Sequence, residues 1–311
     1  MIIDCHSHIW PSLSQLGQAQ QFSCLGAEDS QPAKPDDHLK ASQPAHAVLV
    51  LGFISRHLEA EIPNRFIRDY VASHPDRMIG FAGLDPTRPD SLEQLQKLHH
   101  EDDFKGLVLS PACQGYHPCD SRAMRVYEIA DQLALPVYFL NGESQPPSAV
   151  FDFAHPRGLD EVARSFPNLK IVISHLGFPW IEQSLALLAK HSYVFADVAG
   201  LTDKPWQAYR SLTLAYEYGV IEKLLFASDF PRYTVKTAAE ALYNLNKITL
   251  DSVLPAVPRE QLRSIVERNS LELLGLTPFH TPASESESEP QTQEIPTPTN
   301  ETQSKIVSSN D

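Results

Sequence analysis

Eight short apolar runs punctuate the chain, at Met1–Cys5, Ala45–Gly52, Met78–Leu84, Gly106–Leu109, Pro136–Leu140, Lys170–Ser174, Tyr193–Val198 and Lys223–Ala227. Several are almost continuous in Val, Ile, Leu, Phe and Ala, the pattern of strands covered on both faces. Between them the period changes. Over Ser121–Leu133 the apolar residues Met124, Val126, Ile129, Ala130 and Leu133 fall at helical spacing. Glu161–Phe166, Ile181–Lys190, Lys204–Tyr218 and Val235–Ile248 also read as helices, and Pro167-Asn168 and Gly219 mark helix-to-strand joints. Eight strands alternating with helices over about 250 residues predict an α/β fold, the (β/α)8 or TIM barrel. A doubly wound open sheet is the rival, but no Gly-x-Gly-x-x-Gly follows a strand.

Two regions break this rhythm. Pro11–Pro44 is a polar insertion after the first strand, long for such a loop, and reads either as part of a lid or as disordered surface decoration. Arg259–Leu276 reads as a terminal helix with Leu262, Ile265, Val266, Asn269, Leu273 and Leu274 along one stripe. Residues 277–311 are rich in Pro, Ser, Thr, Gln and Glu and cannot bury enough apolar surface to fold. The expected organisation is a barrel over 1–276 followed by a disordered acidic tail.

Composition narrows the function. The formal charge of −14 argues against a nucleic-acid-binding face, which needs clustered Lys and Arg. The tail accounts for −5 of that charge, leaving an ordinary acidic body. The first residues lack the basic start and long apolar run of a secretory leader, and no apolar stretch reaches the roughly 18 residues of a membrane helix. The four cysteines, Cys5, Cys24, Cys113 and Cys119, form no C-x-x-C pair, so reduced thiols and a cytoplasmic location are expected.

In a barrel, functional groups gather where strands finish. Here strand one runs into Asp4-Cys5-His6-Ser7-His8. Strand side chains alternate faces, so Asp4, His6 and His8 should share one side, and two imidazoles so placed can grip a divalent ion. Cys5 and Ser7 alternate away. Strand six ends in Ser174-His175-Leu176-Gly177 and strand eight in Ser228-Asp229-Phe230-Pro231. Each taken alone reads as easily as a cap or a loop hydrogen-bonder. His99-His100 reads as solvated surface. Gln114-Gly115-Tyr116-His117 and Arg232-Tyr233 follow strands and could line a pocket, with Arg232 either pairing a substrate carboxylate or making a surface salt bridge.

Taken in order, these three motifs resemble the amidohydrolase superfamily, and most of all its amidohydrolase-related (amidohydrolase 2) branch, which includes the aminocarboxymuconate-semialdehyde decarboxylase type. Phe104-Lys105-Gly106-Leu107, Leu135-Pro136-Val137, Phe166-Pro167-Asn168-Leu169-Lys170 and the segment Glu267–Leu276 are similar to segments of that branch. The resemblance spans 1–276. It implies one divalent metal, usually zinc, held at the strand ends by His6 and His8, with Asp229 as a ligand or as the proton acceptor for the attacking water. His175 would be the acid/base or oxyanion-stabilising group, or a further ligand. It also implies a small-molecule substrate, and barrels of this family often pair as homodimers. Three functions follow as expectations: hydrolysis of a small amide, ester or lactone; decarboxylation of a small unsaturated or aromatic carboxylate; or a barrel that works without metal or without catalysis.

The chain departs from the branch at strand five. Leu135-Pro136-Val137-Tyr138-Phe139-Leu140-Asn141 places Asn141 where the family has a histidine ligand. An amide oxygen is a weaker zinc ligand than an imidazole. Either His175 enters the ligand set, or Asn141 or a loop histidine such as His155 substitutes, or little metal is held. The strand-four lysine of two-metal members is also missing, because Lys105 starts its strand and Val108-Leu109-Ser110 ends it.

Overall fold

Each apolar run becomes one strand of a single parallel sheet in the computed structural model of the protein, which describes residues 1–19, 33–141 and 145–276. The strands are β1 (Ile3–Ser7), β2 (Ala47–Leu51), β3 (Met78–Gly83), β4 (Gly106–Leu109), β5 (Val137–Phe139), β6 (Ile171–Ile173), β7 (Val194–Asp197) and β8 (Leu224–Leu225). They pair in sequence order, and every strand residue is buried. Closure comes from β8 meeting β1, where Cys5 N donates to Phe226 O, Asp229 N to His6 O and His8 N to Phe230 O at 2.9, 3.0 and 2.9 Å. A helix follows each strand, at Pro35–Ala41, Asn64–Ala72, Ser91–His100, Ser121–Gln132, Arg157–Ser165, Ile181–Lys190, Pro205–Glu217 and Val235–Tyr243. This is the TIM barrel that the hydrophobic pattern predicts.

Where β1 and β2 pair, the register slips: Asp4 faces Val48 but Ser7 faces Val50. One extra residue is therefore accommodated in β1, beside His6. Such bulges are common next to functional sites because they re-aim side chains. Deeper in the barrel, the Phe81 and Tyr138 rings meet edge to face at 6.1 Å. A Cβ on Gly106 would lie 2.2 Å from Phe81 Cε1, so the glycine clears space for that ring.

Several boundaries differ from the sequence expectations for local reasons. The helix read as Glu161–Phe166 starts at Arg157, because Gly158 is not a breaker. It packs against Pro118, whose Cγ would sit 2.8 Å from a Cβ there. Val235–Ile248 divides at Asn244 into an α-helix and a 3-10 turn, Leu245–Thr249. Arg259–Leu276 divides into Arg259–Glu267 and Ser270–Leu273, since Arg268 turns extended and its guanidinium donates to the carbonyls of Ile221, Glu222 and Leu224.

The insertion over Pro11–Pro44 is more than surface decoration where it is described. Leu13–Ala19 forms a 3-10 segment with Leu16 and Ala19 buried. Gln18 N donates to Leu58 O, and Ser148 Oγ donates to Gln18 Oε1, both at 2.8 Å, so the segment bridges the loops after β2 and β5. The helix Pro35–Ala41 lays His38 against the back of β1, where Nε2 meets Ser7 Oγ at 2.9 Å and Nδ1 meets Tyr70 OH at 2.7 Å. Ser7 spends its own proton on Leu49 O at 2.8 Å, so His38 Nε2 donates and Tyr70 donates to Nδ1. The ring is neutral. Burial, then Arg77 and His74, pushes its pKa down to about 3. The tail expected over 277–311 lies outside the described residues.

Candidate metal centre

Asp4 begins the site by joining β1 to β8. Its Oδ1 accepts from Ser228 N at 2.8 Å and its Oδ2 from Ser228 Oγ at 2.5 Å, standing in for ladder hydrogen bonds just past the end of β8. Burial pushes its pKa up to about 6 against the pull of those hydrogen bonds. The join delivers Asp229 beside His6. Asp229 holds φ of +64°, and His175 and Leu176 hold +51° and +52°. L-residues adopt these angles at a cost of roughly 1–2 kcal/mol each. Gly177 continues the left-handed stretch at +67°.

His6, His175 and Asp229 come together, with one ligand atom from each lying within 4.8 Å of the others. His6 Nε2 is 3.9 Å from Asp229 Oδ1 and 3.1 Å from His8 Nε2. All four residues are buried. The far sides of the two imidazoles are occupied. His8 Nδ1 contacts Leu51 O at 2.8 Å, and a carbonyl can only accept, so the proton sits on Nδ1. His6 Nδ1 contacts Asp197 Oδ2 at 2.7 Å. Asp197 is an ionised acceptor, because His6, His175 and the Tyr138 hydroxyl outweigh its burial and bring its pKa down to about 2. With both Nδ1 atoms so engaged, the two Nε2 atoms face each other across 3.1 Å, and His8 Nε2 is left as an acceptor. Either a proton on His6 Nε2 or a metal cation bound by both atoms satisfies that contact.

A tetrahedral zinc ion with bonds of about 2.0–2.1 Å holds its nitrogens about 3.3 Å apart. The histidine pair fits that spacing. Beside it, both ring nitrogens of His175 and Asp229 Oδ2 are buried without a hydrogen-bond partner. These are the donor types a divalent ion takes up, and the hydrogen bonds from Nδ1 of His6 and His8 are the outer contacts that metal-binding histidines make. Burial lowers His8 well below its usual value, with His6 adding to the effect. Burial also opposes charge on His6, but Asp197, Asp229 and Asp4 raise it. Asp229 is raised by burial, which His175 and His6 offset only in part.

The remaining sequence candidates sit apart from this cluster. Asn141 lies just past the end of β5, but its Oδ1 accepts from Gln145 and its Nδ2 donates to Ala154 O, both at 3.2 Å. Its backbone N donates to Ser174 Oγ at 2.6 Å. His155 is not brought to the ligand atoms. Its Nδ1 accepts from Arg157 N at 3.0 Å and its ring lies 4.9 Å from Trp180. Arg232 follows the salt-bridge reading, 3.6 Å from Asp203, with its guanidinium over Tyr233. Asp197 and Tyr138 are the residues that sequence reasoning missed. Asp197 carried a usable signal, a carboxylate closing an otherwise apolar strand, Val194-Phe195-Ala196-Asp197.

An amidohydrolase family model matches residues 3–276. No curated protein matches the chain. Among solved structures, an uncharacterised TIM-barrel protein from Bordetella bronchiseptica is similar at 18% identity and a TM-score of 0.67, over 88% of this chain and 98% of its own. A probable 2-pyrone-4,6-dicarboxylic acid hydrolase from Acinetobacter baumannii, with citric acid bound, is similar at 18% identity and a TM-score of 0.61, over 88% and 99%. A dihydroxybenzoic acid decarboxylase from Polaromonas, with bound manganese and 2-nitroresorcinol, is similar at 16% identity and a TM-score of 0.61, over 88% and 96%. At these identities the likeness is one of fold. No helix among the described residues is long and apolar enough to cross a membrane.

Proposed function

Because the chain belongs to the amidohydrolase family, we propose that it is a metal-dependent hydrolase of a small amide, ester or lactone, holding one divalent ion on His6, His8, His175 and Asp229. The observation that carries this reading is the 3.1 Å approach of the His6 and His8 Nε2 atoms, with both Nδ1 atoms engaged on the far sides of the rings. His175 completes the set that Asn141 leaves short, since neither of its ring nitrogens is otherwise engaged. Zinc suits three imidazoles and a carboxylate; the manganese of the Polaromonas decarboxylase belongs to that protein. When bound, a divalent ion supplies Lewis-acid polarisation of a substrate oxygen and brings the pKa of water from about 15.7 toward 7.

The chain's own groups handle the proton. Asp229 Oδ2 has no partner, and burial makes the carboxyl more basic than usual. It takes a proton from the attacking water and returns it to the leaving group. Asp197 and Leu51 O keep the protons of His6 and His8 on Nδ1, away from the reacting side.

A panel of lactones, aryl esters and N-acyl amino acids, followed by acid release, tests the proposal. Hydrolysis is expected, falling about 10²–10⁴-fold in Asp229→Asn. A second reading, decarboxylation of an unsaturated or aromatic carboxylate, draws support from the same raised Asp229, a buried acid able to deliver a proton to carbon. Carbon dioxide release from aromatic carboxylates, with no hydrolysis across the panel, would select it and reject the first.

A further inference from the structure

Asp197 ends β7 and is fully buried, yet all four of its acceptor positions are filled. Oδ2 takes the His6 Nδ1 proton at 2.7 Å and the Tyr138 hydroxyl at 2.5 Å. Oδ1 takes the backbone N–H of His175 at 2.7 Å and of Ala199 at 3.0 Å. These contacts reach β1, β5 and the turn after β6 from a single side chain. With no acceptor position spare, Asp197 is not itself a ligand.

We propose that Asp197 is the positioning residue that assembles the ligand set, fixing His6 in the tautomer that offers Nε2 and pinning the backbone of His175 in its left-handed turn. The metal part of this rests on the function proposed above. Two of the four ligands then depend on one carboxylate, by different means. His6 is a matter of proton placement: with Nδ1–H held by Asp197, only Nε2 keeps a lone pair. His175 is a matter of backbone: its φ of +51° is unfavourable for an L-residue, and the hydrogen bond from its N–H holds the turn. That turn matters more here than in relatives with a strand-five histidine, because Asn141 uses its amide on Gln145 and Ala154.

The test uses the full chain, stripped of metal with a chelator and carrying ¹⁵N-labelled histidine, with the His6 signals assigned from a His6→Gln spectrum. At a pH high enough for the ring to be neutral, wild type should show His6 protonated on Nδ1. In Asp197→Asn that fixed tautomer should be lost, and zinc affinity, read by competition with a chelating indicator, should fall about 10–100-fold. Asp85→Asn is the control. Asp85 is equally buried and accepts from Arg56 N, Thr87 N and Thr87 Oγ1 at 2.8, 2.9 and 2.7 Å, so its loss should cost stability alone. A neutral wild-type His6 ring with its single proton on Nε2 overturns the proposal whether or not the variant folds. So does a folded Asp197→Asn with unchanged tautomer and affinity. Wild type that keeps the Nδ1 proton but binds no zinc would overturn the metal reading while upholding the hold of Asp197 on His6.

Discussion

At His6 and His8, the hydrogen bond on one ring nitrogen determines what the other can do. Leu51 O and Asp197 each claim an Nδ1 proton, so in the neutral rings both Nε2 atoms are electron-pair donors facing inward. His6, His8, His175 and Asp229 were legible in the sequence because each stands at or just past the end of an apolar run. Asp197 offered only a carboxylate closing an apolar strand, and its role is visible only through partners on three other segments. Tyr138 was hidden for the same reason, as an aromatic residue in an apolar strand. Asn141 was legible as a departure, but its engagement with Gln145 and Ala154 was not. On this account Asn141→Ala should cost about 1–2 kcal/mol of stability, read from the shift of a urea midpoint, and leave metal content unchanged. Metal loss in that variant would place Asn141 among the ligands instead.

The elements of the barrel were read closely because parallel strands covered on both faces leave continuous apolar runs, with helices at a different period between them. What the pattern hid were departures from regular geometry: the register slip in β1, the left-handed stretch after β6 and the packing of the insertion. The stretch after β6 is held partly by Gly177, where φ is +67° and a Cβ would fall 2.0 Å from Ser184 Oγ. Gly177→Ala should therefore destabilise the fold by about 1–3 kcal/mol in denaturant melts and weaken metal binding through its neighbour His175. The insertion supplies a pH dependence. His38 is neutral in the fold, with a pKa near 3 against 6.5 when unfolded, so the unfolded chain binds the proton more readily. Its contribution is complete above about pH 6.5 and is lost progressively as pH falls toward 3. Melting temperature measured over that window should fall in wild type, and the fall should be shallower in His38→Gln. Parallel profiles would mean that His38 is not held neutral.

Across the whole molecule, the site lies where the barrel closes. Asp4 and Ser228 join the first strand to the last, and that join places Asp229 against His6. A metal bound on the proposed ligands would therefore be linked to the fold. An ion at about 100 times its Kd adds about 2.7 kcal/mol to a state that alone can bind it. At about 2–4 °C per kcal/mol for a domain of this size, chelation should lower the melting temperature by several degrees. That loss should be absent in a His6→Ala/His8→Ala variant, which has no ion to give up. The proposed function requires that these two histidines hold a resident divalent ion. Elemental analysis of the protein purified without added metal, set beside the double variant, tests it most directly. Wild type should carry about one divalent ion per chain and the variant almost none. Equal trace metal in the two would contradict it.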